Sequence, residues 1–131
     1  VGFGFTYTLP VITAILSAKK GDLIIIENPE SHLHPQGQAK LGELIARAAN
    51  DGVQLIIESH SDHLFNGIRV AIKNGLVKTD DVSVFYFERD EKSGEHISTI
   101  DQPVIEANGR ISHKPPGFYD EYSKQLDELI K

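Results

Sequence analysis

The sequence predicts an α/β fold, with a partial doubly wound parallel sheet followed by a small α+β extension of a hairpin and a C-terminal helix. Helical and strand patterns alternate through residues 1–78 with short connections, which is typical of parallel strands joined by helices. From residue 79 the order changes to two strand patterns around a polar turn, and then one helical pattern. We therefore expect a core in residues 1–78 and a separate extension in residues 79–131.

The first helical pattern is unusually apolar. Residues 9–18 leave almost no polar face, which predicts a helix buried on all sides, with Pro10 in its first turn. Lys19-Lys20-Gly21 places two cations and a glycine at the carbonyl end, where a helix commonly ends. The four apolar residues of Leu23–Ile26 then predict a fully buried strand of a parallel sheet.

Two more helices and one more strand complete the predicted core. Pro35 opens a helix with apolar residues spaced i, i+3, i+4 and i+7 (Leu41, Leu44, Ile45 and Ala48). Residues 53–57 are β-branched and aliphatic, as in a second strand. Ser61 is a good N-cap for a third helix, whose apolar residues are Leu64, Ile68, Ala71 and Ile72.

The extension has a different pattern. Residues 82–87 and 96–100 are strand-like, and the polar turn 90–95 between them predicts an antiparallel hairpin. A loop then leads to a final helix with one apolar side, formed by Tyr119, Tyr122, Leu126 and Leu129.

Composition excludes several classes of function. The net charge of −6 is spread evenly along 131 residues, so a broad cationic surface for nucleic acid is not expected in this segment. The longest apolar runs, such as Leu23–Ile26, are far shorter than the roughly 20 residues that a membrane helix needs. Cys is absent, which removes disulfides and thiolate zinc sites and suits a cytoplasmic protein. Met is absent too, and because the chain begins at Val1 we expect it to be a piece of a longer protein.

Polar residues concentrate in two loops. In open parallel sheets, ligands bind beyond the carboxyl ends of the strands, and loops 27–34 and 58–63 hold four of the six His and four carboxylates. Glu27, directly after a strand, could hold Mg²⁺ beside phosphates, or it could be a solvated loop acid. His60 could donate a hydrogen bond to a terminal phosphate or to attacking water, or it could simply close its loop.

Four stretches, taken in order, resemble motifs of one family. Residues 1–5 (VGFGF) are similar to a signature motif, 23–27 (LIIIE) to a Walker B strand, 33–34 (LH) to a D-loop, and 56–64 (IIESHSDHL) to a switch-histidine segment. Together they resemble the C-terminal half of an ABC-type P-loop ATPase. The branch is that of the overcoming-lysogenization-defect nucleases, with RecF and SMC ATPases more distant. Further on, Gly109-Arg110-Ile111 and PGFYD at 116–120 resemble a subgroup with a short uncharacterised C-terminal domain.

The resemblance implies a function and site residues. It implies ATP and Mg²⁺ as ligands, with nucleotide held between the two subunits of a homodimer. Glu27 would hold Mg²⁺, and His60 would sense the γ-phosphate. Gly2 and Gly4 would approach the nucleotide bound by the other subunit, and His34 would lie at the dimer seam. No membrane partner is implied, and any contact with DNA would lie in a missing part of the protein.

The sequence also departs from that family. The P-loop motif Gly-x-x-x-x-Gly-Lys-Ser/Thr does not occur, so this segment alone is expected to bind ATP weakly or not at all and to be inactive. We expect the P-loop and Q-loop upstream. Asn28 stands where most members have the Glu that activates water, and an amide cannot accept that proton. Three outcomes are open: Glu30 or His60 supplies the base, Asn28 only orients water, or the protein is a nucleotide-dependent clamp that turns over rarely. Our hypothesis is slow hydrolysis with Glu30 assisting.

Two alternatives remain open from the sequence. The segment His60-Ser61-Asp62-His63 is similar to the metal-binding motif of metallo-β-lactamase-like hydrolases, except that Glu58 replaces the first His. The hairpin and last helix could instead form a non-catalytic interaction module. Its aromatic residues are more typical of a core than of a contact surface: Phe85, Tyr86, Phe87, Phe118, Tyr119 and Tyr122.

Overall fold

The computed structural model of the protein describes residues 2–89 and 97–130. The first part of the chain contains α1 (Phe3–Ser17), β1 (Leu23–Glu27), α2 (Pro35–Asn50), β2 (Gln54–Glu58) and α3 (Asp62–Lys73). A 3-10 turn at Thr79–Asp81 precedes β3 (Tyr86–Arg89), β4 (Ser98–Asp101), β5 (Val104–Ile105), β6 (Ile111–His113) and α4 (Glu121–Ile130). The fold is therefore mixed α/β. None of the helices in the described part of the chain is both long and apolar enough to cross a membrane.

The chain forms two compact units. The first unit runs to Val82 and includes Ala107–Gly109, and the second comprises Ser83–Glu106 and the residues from Arg110 onward. The first unit holds α1, β1, α2, β2 and α3, and therefore both of the predicted site loops.

β1 and β2 are parallel neighbours. Their register runs from Leu23 opposite Gln54 to Glu27 opposite Glu58. The predicted parallel pairing is confirmed for these strands, which form a two-stranded sheet within the described residues. A larger doubly wound sheet stays a prediction. Because the strands are parallel and in register, their carboxyl ends and the loops that follow lie at the same edge.

The core of the first unit lies on one face of this sheet. Its buried residues are Ile15, Leu41, Ile45, Ala48, Val53 and Leu64. Ile24 and Ile26 pack against it, whereas Leu23 and Ile25 are 54% and 66% exposed. The prediction that Leu23–Ile26 is buried on both faces is therefore wrong for this unit. A strand turns successive side chains to opposite faces, and the helices described here cover only one of them.

Helix α1 begins six residues earlier than predicted, at Phe3 instead of residue 9. Pro10 lies inside the helix and not in its first turn. The prediction of burial on all sides is also wrong. Ile15 is buried, but several large apolar side chains of α1 are exposed, namely Phe5, Tyr7, Leu9 and Leu16. The apolar composition alone could not show which side of the helix is covered.

Helices α2 and α3 confirm their sequence patterns and cross at two glycines. Pro35 is the first residue of α2, and the Ser61 hydroxyl caps α3 by accepting a hydrogen bond from the Leu64 N–H at 3.0 Å. A Cβ atom on Gly42 would overlap the Leu64 carbonyl oxygen, and one on Gly67 would overlap the carbonyl of α2. The two backbones are therefore in direct contact at the crossing, which only glycine permits.

The second unit contains two small antiparallel pairs and a helix. β3 pairs with β4, which confirms the antiparallel pairing, although β3 begins later than the predicted residue 82. The predicted turn 90–95 and His96 lie outside the described residues. The pair of β5 with β6 was not predicted, because strands of two and three residues leave almost no pattern.

The aromatic residues of the second unit divide between core and surface. Phe118 is 4% exposed, and its ring meets that of Tyr86 edge to face at 5.4 Å. Phe85, Phe87 and Tyr122 are 55%, 65% and 70% exposed. The expectation that these aromatic residues form a core holds only for part of the set. Tyr119, predicted in the last helix, precedes α4 and has a left-handed backbone (φ 48°).

Candidate functional site

Two glutamates stand side by side at the carboxyl edge of the sheet. Glu27 is the last residue of β1 and Glu58 the last of β2, and they are register partners. The Asn28 N–H donates a hydrogen bond to the Glu58 carbonyl oxygen at 2.9 Å, so the ladder continues one residue beyond the strands. Both side chains are exposed and lie on the face of the sheet that the helices leave open. This edge therefore presents a pair of carboxylates to solvent.

His60 lies at the same edge and is held by Glu58. Its Nε2 is 2.9 Å from Glu58 Oε1, and the two side chains are 84% and 47% exposed. The loop after β2 thus carries the imidazole to the edge where Glu27 ends β1. This is the arrangement that the parallel strands predicted, in which an acid and an imidazole leave adjacent strands at one end of the sheet.

Glu30, in contrast, points into the protein. It is only 6% exposed, and its Oε1 accepts hydrogen bonds from the Ser59 hydroxyl at 2.8 Å and from the His60 backbone N–H at 3.2 Å. Its Oε2 is buried and has no hydrogen-bond partner among the described residues. Glu30 therefore ties the loop after β1 to the loop after β2.

A chain of hydrogen bonds continues from that link to α2 and α3. The Ser59 hydroxyl accepts from the Ser61 N–H at 3.1 Å, and the Ser61 hydroxyl donates to the Gln38 side-chain carbonyl. The Gln38 amide in turn donates to the Leu33 carbonyl at 2.9 Å. Both ends of the loop after β1 are thus connected to the start of α3.

The loop after β1 owes its shape to two residues with left-handed backbones. Asn28 has φ 47° and His32 has φ 67°. Asparagine tolerates this conformation better than most residues, which gives Asn28 a backbone role in addition to the predicted role in orienting water. The His32 ring stacks on Tyr7 of α1, with centroids 4.8 Å apart.

The structure places the residues of the signature-like stretch at the start of α1. Gly2 is the N-cap, with an extended backbone and open space around its Cα, and Gly4 lies in the first turn. A Cβ atom on Gly4 would come within 3.0 Å of the His32 carbonyl oxygen. Close packing of α1 on the loop therefore gives a local reason for glycine at position 4. Val1 lies outside the described residues. His34 is the exposed N-cap of α2, and its side chain makes no capping hydrogen bond.

The metal-binding alternative gains no support from the geometry. His60 pairs with Glu58, whereas Ser61 caps α3 and His63 lies 3.7 Å from Asp62. Within residues 2–89 and 97–130, no group of three or more His, Asp or Glu side chains is close enough to hold a metal ion. The candidate ligands of the motif therefore do not converge on one point.

A cavity of about 470 Å³ lies elsewhere in the first unit, between α2 and α3, and His63 lines it. Three charged residues of α2 also line it, Lys40, Glu43 and Arg47. A hydrogen bond from Arg47 lowers the pKa of the Glu43 carboxyl from its usual value. Lys40 and Arg47 both pair with Glu43, so one positive charge of this group is not balanced within it.

Glu58 is the residue that sequence reasoning undervalued. The sequence motifs single it out only where a metal-binding motif has His, although it follows the second strand directly, as Glu27 follows the first. This matching position was the available signal. The structure shows its consequence, which is a carboxylate next to Glu27 and bonded to His60.

Two stretches of the chain match known protein families. Residues 1–66, just over half of the 131, match the family model described as "AAA domain, putative AbiEii toxin, Type IV TA system". Residues 77–129 match the model described as "Protein of unknown function (DUF3696)". Searches of curated proteins and of solved structures returned no match. The chain therefore belongs to the AAA domain family that the first of these models describes.

Proposed function

We propose that the carboxyl edge of β1 and β2 forms one wall of an ATP site in an ABC-type ATPase of the overcoming-lysogenization-defect-like branch. Membership of the AAA domain family supports an ATPase-like role. In this proposal residues 1–78 are the ATPase part of the chain and residues 79–131 a separate extension. The P-loop, which the 131 residues do not contain, comes from polypeptide outside them.

The observation that carries the proposal is the register of the sheet. It sets Glu27 beside Glu58 and brings the His60 loop to the same edge. Mg²⁺ in nucleotide sites is bound through one or two carboxylates together with phosphate oxygens. The residues at this edge fit that requirement, because Glu27 offers hard oxygen ligands and Glu58 lies next to it. Mg²⁺ held there would neutralise negative charge on the phosphates.

The other site residues take roles around this pair. In this proposal His60, whose Nε2 lies 2.9 Å from Glu58 Oε1, would donate a hydrogen bond to a terminal phosphate through its other ring nitrogen. Asn28 can orient water but cannot take its proton, so hydrolysis is slow. Gly2, Gly4 and His34 would meet nucleotide or protein across the interface of a homodimer.

The experiment that tests the proposal is a titration of the protein, as its gene encodes it, with a fluorescent ATP analogue. Glu27→Gln keeps the shape of the side chain and removes the charge. We expect it to weaken binding at least about tenfold in the presence of Mg²⁺, since charge-assisted ligands are the strong ones. In EDTA the variant and the wild type should bind alike.

The matched control is Glu121→Gln, which changes an exposed acid of α4 in the second unit. It should leave both titrations unchanged. Mg²⁺-dependent binding that survives intact in the Glu27→Gln variant would show that this carboxylate holds no metal, and the proposed site would then be wrong.

A further inference from the structure

Glu30 is buried, and its contacts are unlike those of a residue that activates water. A general base must lie within hydrogen-bond reach of the water that it deprotonates. Glu30 is 6% exposed, and its Oε1 already accepts two hydrogen bonds. The two donors are the Ser59 hydroxyl and the His60 N–H, and both belong to the loop after β2.

We infer that Glu30 is a positioning residue for His60, and that it acts through the backbone of the His60 loop and not as the group that takes a proton. The inference rests on the proposed function for its catalytic consequence, since His60 is the residue proposed to meet the terminal phosphate. The contacts that hold His60 in place are observed directly in the structure and do not depend on the proposed function. Glu30 fixes the backbone of His60 at 3.2 Å, and Glu58 fixes its ring at 2.9 Å.

The hydrogen bonds of the buried Glu30 carboxylate connect the loop after β1 to the loop after β2. Glu30 belongs to the loop after β1, so its two hydrogen bonds set the distance between that loop and the His60 loop. Ser59 extends the link through Ser61 to the first turn of α3. The Oε1 atom has the lone pairs to accept both hydrogen bonds, whereas an apolar side chain at this position could accept neither.

Two substitutions at position 30 separate positioning from base catalysis. Glu30→Gln keeps a carbonyl oxygen in the place of Oε1, and its amide nitrogen replaces Oε2, which has no partner among the described residues. Glu30→Asp keeps the charge but is one methylene shorter, so it cannot reach Ser59 and His60 in their present places. A positioning residue depends on reach, whereas a base depends on the carboxylate.

The first readout is the rate of a single turnover of ATP in the protein as its gene encodes it. If Glu30 positions His60, Glu30→Gln should stay within about threefold of the wild type, since its hydrogen bonds are kept. Glu30→Asp should lose about tenfold or more, with KM little changed, because a small misplacement of a catalytic group is costly. A base would give the reverse order, with Glu30→Gln losing about 10²–10⁴-fold.

The second readout needs no activity. Hydrogen exchange of the His60 backbone amide, followed by NMR, should accelerate about tenfold or more in Glu30→Asp and stay near the wild-type rate in Glu30→Gln. The Gln54 amide, bonded to the Asp22 carbonyl at 2.8 Å, is the internal reference. The control variants are Glu43→Gln and Glu43→Asp, since Glu43 is bonded to Arg47 on α2 and does not contact the His60 loop.

The outcomes decide between the alternatives. The inference is overturned if Glu30→Asp turns over faster than Glu30→Gln, if the His60 amide stays protected in Glu30→Asp, or if the Glu43 variants change it equally. If Glu30→Asp does not fold, protection of the His60 amide in Glu30→Gln supports the inference and its loss overturns it. If the wild type hydrolyses no ATP, the proposed function fails, and the exchange rates still test the role of Glu30.

Discussion

Replacing Gly42 by alanine should destabilise the protein, because the new methyl group has no space between α2 and α3. It would overlap the Leu64 carbonyl oxygen and come within 3.1 Å of the Ile68 nitrogen and 3.2 Å of the Gly67 Cα. All three are backbone atoms, which cannot rotate away as the end of a side chain can. The helices must therefore move apart and give up part of their buried contact.

The magnitude follows from two opposing effects. Inserting a methyl group into a packed interface costs about 1–3 kcal/mol, and contact with backbone atoms favours the upper end of that range. Alanine is a better helix former than glycine by about 1 kcal/mol, which offsets part of the cost. We expect a net loss of about 2 kcal/mol in the free energy of unfolding. For a domain of 60–100 residues this corresponds to a fall of roughly 10 °C in Tm.

The assay is urea denaturation and thermal melting followed by circular dichroism, with Gly37→Ala as the matched control on the same helix. A Cβ atom at Gly37 would meet only the Leu33 side chain, at 3.6 Å, which is an ordinary contact. Gly37→Ala should therefore be neutral or stabilise the protein by up to about 1 kcal/mol. If Gly42→Ala proved as stable as Gly37→Ala, the close crossing of the two helices would be refuted.

Two further predictions concern a helix cap and a pH dependence. Ser61→Ala removes the acceptor for the Leu64 N–H and should cost about 1 kcal/mol in urea denaturation. In the second unit, hydrogen bonds from the Lys124 ammonium and the Gly117 N–H lower the pKa of the Asp120 carboxyl below its usual 3.8. Asp120 thus stabilises the fold above its unfolded pKa and loses this effect as the pH falls through its lower, folded pKa. Melting at pH 7 and pH 2 should show a smaller pH dependence in Asp120→Asn than in the wild type.

The elements of the first unit could be predicted where the sequence carries a clear period. The apolar spacing in α2 gave both its type and its buried side, since Leu41, Ile45 and Ala48 are in the core. The burial of β1 could not be predicted in the same way. Leu23–Ile26 is apolar on both faces, and such a run does not reveal how many layers of helix pack on it. The start of α1 was missed because Gly2 and Gly4 gave no helical signal.

The location of the candidate site could be predicted from the sequence, but the contacts between its residues could not. Parallel strands bring their carboxyl ends together, so Glu27 and His60 could be assigned to one edge from the order of elements alone. The contacts that Glu58 and Glu30 make depend on the direction in which each side chain points. Glu58 continues the open face of the sheet toward His60, whereas the left-handed turn at Asn28 precedes Glu30, which faces inward. A single left-handed residue at position 28 produces no repeating pattern in the sequence, so the inward direction of Glu30 could not be predicted.

The crossing of α2 and α3 and the buried Glu30 both limit the separation of the loops after β1 and β2. β1 is followed by α2 and β2 by α3, so the separation of α2 from α3 at Gly42 and Gly67 also limits the separation of the two site loops. Glu30 then joins these loops directly by its hydrogen bonds to Ser59 and His60. Forcing the helices apart with Gly42→Ala should therefore loosen the His60 amide even though the substitution lies outside the loop. The effect of Gly42→Ala on hydrogen exchange at His60 should exceed that of Ser61→Ala. The crossing moves whole helices, whereas Ser61→Ala removes the hydroxyl contacts with Leu64 and Gln38 and keeps the Ser61 N–H that bonds to Ser59.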